Sequence, residues 1–128
     1  GRGGNLILFA SQYGLKGWPL WGAYCASKAG VLRLADALVG ELSPRGIRVN
    51  TISPGTVDTE MVATTTAEVA RQSGTDPASV RAQYEAAIPI WRYARPDEIA
   101  SVAVALCSGL CSYISGANIV VDGGELSR

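Results

Sequence analysis

Tyr24 and Lys28 lie four residues apart in a run whose apolar spacing is helical. Both side chains therefore project from one helix face, with Cβ atoms roughly 5 to 6 Å apart. A phenol beside an ammonium is an acid/base pair. A tyrosine that works as a base near neutrality needs its pKa, about 10 when free, lowered by roughly three, which amounts to about 4 kcal/mol. An ammonium about 5 Å away at an effective dielectric near 20 supplies on the order of 3 kcal/mol, and a second positive charge at the site would supply the rest. Ser11 ends an apolar run, the position where ligands bind in open α/β sheets, and its hydroxyl can hydrogen-bond a substrate oxygen. Taken alone, the Tyr-Lys spacing also fits a core tyrosine beside a solvated lysine. The surrounding sequence decides between the two.

None of the 128 residues is histidine. That removes Ser-His-Asp and Cys-His catalysis and every histidine-containing metal site. Proton chemistry is left to Tyr, Lys, Asp, Glu or Cys. The three cysteines, Cys25, Cys107 and Cys111, do not form a disulfide framework of the secreted kind, so a reduced intracellular protein is expected. Cys107 and Cys111 stand four apart, but two sulfurs without further ligands make a poor site; they read as small apolar core residues, and no metal is expected. With 11 Lys+Arg against 11 Asp+Glu the net charge is zero, which gives no electrostatic reason to bind nucleic acid or an anionic membrane. At 48% hydrophobic and 17% charged the chain is too apolar to stay disordered. No residue from Ile99 to Val121 is charged, a length that raises a membrane span. Ser108-Gly109, Ser115-Gly116 and Asn118 divide that run into helix, turn and strand.

The elements that must position the pair follow from pattern and punctuation. Asn5 to Ala10 is a continuous apolar run, the mark of a parallel strand buried on both faces. Ser11 to Leu20, with Gly14, Gly17 and Pro19, reads as a loop. A helix is expected from about Gly22 to Leu42, stopped by Ser43-Pro44-Arg45-Gly46. Ile47 to Ser53 is a second strand ended by Pro54-Gly55, and residues 56 to 75 read as a mobile segment with at most short helical pieces. Asp76-Pro77 starts a short helix that Pro89 ends, Pro96-Asp97-Glu98 starts another that runs to about Ser108, and Ala117 to Asp122 is a third strand closed by Gly123-Gly124. This order is that of a parallel α/β layer. Three strands make a thin sheet, and the first has no polar face or blunting charge to protect an edge, so further sheet is expected beside it. The opening Gly1-Arg2-Gly3-Gly4, with no initiator methionine and no signal segment, fits the same expectation that more chain precedes it.

The joint pattern resembles the short-chain dehydrogenase/reductase family. Ser11, Tyr24 thirteen residues later, Lys28, then Ile47-Arg48-Val49-Asn50, Pro54-Gly55 and Thr59 stand in that family's order and spacing. So do Arg95-Pro96-Asp97-Glu98-Ile99-Ala100, Ser115-Gly116 and Val121-Asp122-Gly123-Gly124. The resemblance spans nearly all of residues 1–128 but covers only the family's C-terminal half. It implies an α/β fold: the C-terminal part of a doubly wound parallel-sheet Rossmann-type domain, three parallel strands with flanking helices, its N-terminal half absent.

The resemblance further implies an NAD(P)-dependent oxidoreductase that moves a hydride between nicotinamide and a carbonyl or secondary alcohol. Tyr24 takes the place of the acid/base and, with Lys28, of a cofactor-binding residue; Lys28 takes that of the residue that lowers the tyrosine's pKa and holds the nicotinamide ribose, and Ser11 that of the serine that orients the substrate oxygen. Pro54, Gly55, Val57 and Thr59 match the stretch beside the nicotinamide, with the Val57 backbone and the Thr59 hydroxyl near its carboxamide. Asn50 and Asp122 look structural. Ala10 stands where many members have a second serine, while Ser11 keeps the thirteen-residue spacing. The family's glycine-rich phosphate loop, its NAD-or-NADP selector and its catalytic asparagine all lie upstream, so the choice of NAD or NADP is not readable. Gly1-Arg2-Gly3-Gly4 precedes a strand, whereas a dinucleotide fingerprint follows one, and it reads as a turn. A small-molecule carbonyl or alcohol substrate, a cytoplasmic location and a homo-oligomer, tetramer or dimer, are expected on the same ground. Val62 to Ser73 matches the family's substrate loop. Trp18, Trp21, Trp91 and Tyr93 either line an apolar pocket or pack, with packing favoured. The competing reading is a non-catalytic α/β fragment or interaction module that cannot bind cofactor alone.

Overall fold

The computed structural model describes residues 3–127. Of the turn expected at Gly1-Arg2-Gly3-Gly4, Gly1 and Arg2 lie outside the described residues, and Gly4 already begins a strand. Strands β1 (Gly4–Phe9), β2 (Ile47–Pro54) and β3 (Asn118–Val121) form one parallel sheet in the order β1-β2-β3. Gly4 stands opposite Ile47, Phe9 opposite Ile52, and Thr51 opposite Asn118. These are the three expected strands, each within a residue of its expected bounds.

The central strand is the buried one. Val49 and Ile52 have no exposed surface, and successive strand residues face opposite sides of a sheet. Ile52 packs with Ile99 and Leu106 of helix α4 (Pro96–Cys107). Val49 lies on the other face, beside Leu32 and Ala35 of helix α1 (Gly22–Leu42). The layers are therefore helix, sheet, helix. Buried polar side chains of β2 are spent on its neighbours: Asn118 Oδ1 accepts from the hydroxyls of Thr51 (3.0 Å) and Ser53 (2.7 Å). Asn50 donates to the Ile114 carbonyl (2.9 Å) and accepts from the Ala117 N–H (3.0 Å), pinning the turn before β3. Asp122 accepts from the N–H groups of Gly124 (2.9 Å) and Leu126 (2.8 Å). Both residues thus hold backbone, as their sequence context suggests. Among the described residues β1 is paired on one edge only, and Phe9 at its end is half exposed.

Residues 56–75 correct the reading of a mobile segment with short helical pieces, because Glu60–Ser73 forms a continuous helix of 14 residues, α2. Its threonines lower intrinsic propensity, but the capped ends and a buried face offset that. Thr59 caps the first turn by accepting from the Val62 N–H (3.4 Å), Glu60 sits where the macrodipole favours an acid, and Gly74 ends the helix at φ 68°. Thr65 and Thr66 donate to the carbonyls four residues back, at 3.0 and 2.7 Å, so these hydroxyls are satisfied within the helix. Thr66 and Ala70, one turn apart, are buried. Helix α3 (Pro77–Ala87) starts as expected, with Asp76 accepting from the Ser79 N–H (3.0 Å), and ends two residues before Pro89.

The uncharged run from Ile99 to Val121 resolves into the rest of α4, a short 3₁₀ turn (Gly109–Cys111) and β3. Among the described residues no helix is long and apolar enough to cross a membrane. Of the two cysteines expected in the core, Cys111 packs against the core cluster, whereas Cys107 is exposed; Cys25 is half-buried. Cys107, the last residue of α4, stands about a quarter turn from the middle of the stripe of Ile99, Val102, Ala103 and Leu106 that packs on the core.

Glu98 organises the start of α4. Its carboxylate accepts two hydrogen bonds from Arg92 (2.8 and 2.7 Å) and one from the Arg95 N–H (2.8 Å). Arg92 first, then that N–H, pull its pKa from 4.5 down to about 2. A carboxylate whose folded pKa is depressed stabilises the fold above its unfolded pKa and loses that contribution as pH falls toward the folded value. Glu98→Gln is therefore expected to lower Tm at pH 7, with the gap from wild type closing between about pH 4.5 and 2. Thermal melts of both proteins across that range check it; a gap that stays constant to pH 2 would assign the effect to packing.

Candidate active site

β1 ends one residue before Ala10, and its register is held by the Ala10 N–H donating to the Ile52 carbonyl (2.8 Å). Ser11 follows, nearly buried, and its Oγ accepts from the Tyr13 N–H (3.2 Å), capping a single 3₁₀ turn at Gln12–Gly14. That turn folds back onto α1. A Cβ placed on Gly14 would stand 2.8 Å from the backbone carbon and oxygen of Lys28 and 3.0 Å from the Ala29 nitrogen. Only glycine permits this approach, which sets how close Ser11 comes to the helix that carries Tyr24 and Lys28. Lys28 fastens the same joint from the other side: its Nζ donates to the Phe9 carbonyl (3.2 Å) and lies 5.7 Å from the centre of the Tyr24 ring.

The opposite wall comes from the end of β2. The Gly55 N–H donates to the Val121 carbonyl (2.9 Å), and a Cβ on Gly55 would lie 2.7 Å from the Asp122 Cα, so backbone meets backbone there too. Val57 bridges to Ala94: the Asp58 N–H donates to the Ala94 carbonyl (2.8 Å), and the Ala94 N–H donates to the Thr56 carbonyl (3.0 Å). Arg81 of α3 clamps the next residue, donating to both oxygens of Asp58 (3.1 and 2.8 Å) and to Glu85 (2.9 Å), which lowers the Asp58 pKa. Thr59 accepts from Val62 in capping α2 and keeps its hydroxyl proton to donate.

Between these walls, at the carboxyl ends of β1 and β2, lies a cleft of about 330 Å³. Ser11 and Tyr24 face it from one side, and Pro54, Gly55, Val57 and Thr59 from the other. Ala10 after β1, Met61 and Val62 of α2, and Pro96 and Ile99 of α4 complete it. Six of the seven residues singled out from sequence thus line one cleft, and the seventh, Lys28, braces the wall beside Tyr24. No Lys, Arg, Asp or Glu lines it. Among the described residues no three of His, Cys, Asp and Glu gather as a metal site.

The four aromatic candidates part company. Tyr13 stacks on Trp18 at 5.3 Å and meets Trp21 and Tyr24 edge-on at 5.6 and 5.7 Å, while Trp21 meets Tyr24 edge-on at 5.9 Å. Trp18 and Trp21 therefore belong to a cluster that adjoins the cleft through Tyr24. Burial, then the Glu125 carboxylate, raises the Tyr13 pKa above its ordinary value, so its phenol is neutral. Tyr93 is instead buried beneath the Arg81 guanidinium, 4.7 Å from its ring, and Trp91 is exposed on a loop; neither lines the cleft. Two site features escaped sequence reading: the close contact at Gly14 and the Asp58–Arg81 clamp. The only signal for the first is a glycine placed between Ser11 and Tyr24.

Residues 1–125 match the family model described as enoyl-(acyl carrier protein) reductase. A galactitol 2-dehydrogenase of Agrobacterium fabrum is 40% identical over 124 residues, 97% of this chain and 48% of that protein. Among solved structures, a short chain dehydrogenase family protein of Francisella tularensis superposes with a TM-score of 0.93 at 30% identity, over 97% of this chain and 51% of that one. The L-sorbose reductase of Gluconobacter frateurii, complexed with NADPH and L-sorbose, gives a TM-score of 0.85 at 31% identity, over 98% and 48%. The chain spans about half the length of these relatives.

Proposed function

Because the chain belongs to the short-chain dehydrogenase/reductase family, we propose that it is the catalytic half of an NAD(P)-dependent oxidoreductase acting on a carbonyl or secondary alcohol. The observation that carries this reading is the convergence of Ser11 and Tyr24, from β1 and α1, on a cleft whose far wall is Pro54 to Thr59, with Lys28 bracing the phenol. NADPH in the L-sorbose reductase supports a nicotinamide cofactor here, with NAD and NADP both open.

The far wall fits such a group: Gly55 keeps the backbone bare, and the Thr59 hydroxyl has a proton to give a carboxamide oxygen. The Val57 backbone and the Lys28 ammonium would complete the hold, Lys28 on the ribose. Nicotinamide, when bound, supplies or accepts the hydride. Ser11 donates a hydrogen bond to the substrate oxygen, Tyr24 gives that oxygen its proton in reduction and removes it in oxidation, and Lys28 stabilises the charge left on the phenol oxygen.

The chain is further read as the second half of a larger doubly wound domain, residues 1–128, with a preceding strand covering the free edge of β1. A cytoplasmic, oligomeric protein is the accompanying expectation. Supplying the full-length protein with a ketone and NADH or NADPH deuterated at both C4 positions of the nicotinamide tests the hydride step. Deuterium at the carbinol carbon is expected; alcohol formed without label would end this reading.

Gly14 supplies a second test. In the full-length protein Gly14→Ala should reduce kcat/KM by about tenfold to a hundredfold, since displacements near 1 Å cost on that order. A small drop in Tm should accompany it. Unchanged kcat/KM would show that the Ser11 turn need not press on α1.

A further inference from the structure

The substrate end of the cleft combines three observations. First, no charged side chain lines it. Asp58 beside it is taken up by Arg81, Arg92 and Arg95 are paired with Glu98 and Asp97, and the Lys28 ammonium stands beside Tyr24, where the proposed reaction uses it. Second, among the described residues its polar side chains are only Ser11, Tyr24 and Thr59. In the proposed reaction two of these serve the reacting oxygen and the third the cofactor, so no further hydroxyl of a polyol finds a side-chain partner in this lining. A polar ligand group desolvated without a partner is disfavoured. Third, aromatic surface adjoins Tyr24. Trp21 is 41% exposed beside it, and Met61, which is 68% exposed, lines the cleft from α2. The backbone before Trp21 is also strained: Leu20, fully exposed, sits at φ 68° in the left-handed region that a leucine rarely adopts. Strain of this kind clusters at ligand sites.

We propose that the site takes an uncharged aryl-substituted ketone or secondary alcohol, its ring held between Trp21 and Met61 while its oxygen meets Ser11 and Tyr24. This rests on the hydride-transfer reading above and goes further by naming the substrate class. A flat indole edge and a flexible thioether both favour contact with an aromatic ring. The contact would be specificity-determining: Trp21 touches Tyr24 but has no part in the proton transfer.

The test uses the full-length protein with both NAD and NADP, measuring kcat/KM for 1-phenylethanol, sorbitol, 3-hydroxybutyrate and 2-propanol. 1-Phenylethanol is expected to exceed sorbitol and 3-hydroxybutyrate by about tenfold or more, the scale on which apolar pockets discriminate. Trp21→Ala is expected to lower the 1-phenylethanol value about tenfold while 2-propanol changes less than about twofold. Trp21→Leu, which keeps apolar bulk without the flat ring, guards against loss of fold and should show the same selective loss. Preference for sorbitol or 3-hydroxybutyrate would overturn the substrate class and leave hydride transfer standing. Equal loss on both alcohols in the Trp21 variants would overturn the role given to Trp21. No turnover of any of the four would bring down the hydride-transfer reading and this proposal with it.

Discussion

Replacing Tyr24 with phenylalanine in the full-length protein should lower kcat by about two to four orders of magnitude, the range general acid/base groups supply. Cofactor affinity and Tm should barely move. The substitution removes one oxygen and keeps the ring, so the edge-on contacts with Tyr13 (5.7 Å) and Trp21 (5.9 Å) survive. Lys28 keeps its bond to the Phe9 carbonyl. What is lost is the only side-chain hydroxyl that the cleft lining offers, among the described residues, besides those of Ser11 and Thr59. Ser11 is spoken for by orientation, and its oxygen already accepts from the Tyr13 N–H. Thr59 lies across the cleft at the head of α2. Single-turnover kinetics, with NADH or NADPH fluorescence titration and a thermal melt alongside, separate the terms. Turnover above about a tenth of wild type would reassign the proton to another group, since a loss that small lies below what such a group contributes.

What could be read from the sequence was what local geometry dictates. A spacing of four on a helix puts Tyr24 and Lys28 side by side wherever the helix goes. Ser11 at the end of an apolar run is placed at the carboxyl edge of a sheet by the strand alone. Pro54-Gly55 ends β2 for reasons internal to those two residues. The features that stayed hidden depend on partners far along the chain. Gly14 matters because Lys28 passes 2.8 Å from where its Cβ would be. Asp58 meets Arg81 across 23 residues, and Tyr93 is buried because that same guanidinium covers it. The helix over Glu60–Ser73 was hidden for a different reason: its threonines lower summed propensity, and what offsets them is the capped ends together with a buried face. Capping chemistry at Thr59 and Gly74 was visible, but it carries weight only once Thr66 and Ala70 have a surface to bury against.

Lys28→Met should be the second large loss, about a hundredfold in kcat/KM, and it should differ from Tyr24→Phe in kind. A unit charge at about 5.7 Å from the phenol ring is worth roughly 3 kcal/mol at an effective dielectric near 20, which converts to about two orders of magnitude. Because the ammonium is also proposed to hold the cofactor, its removal should weaken NAD(P)H binding about tenfold, the effect of one lost hydrogen bond to a charged group. Tyr24→Phe leaves that binding alone. The bond to Phe9 goes as well, so Tm should fall by a few degrees, consistent with about 1 kcal/mol. Lys28→Arg keeps the charge with a bulkier head and should recover part of the rate. The double variant decides whether Lys28 works through the phenol. If its kinetic role is to stabilise charge on the Tyr24 oxygen, then adding Lys28→Met to Tyr24→Phe removes nothing further from the chemical step at saturating cofactor, and the two losses fail to add. Additive losses in kcat would mean that Lys28 acts on the substrate or cofactor independently of Tyr24. An effect of Lys28→Met below about threefold, well short of the 3 kcal/mol of attraction, would reduce it to a strut between α1 and β1.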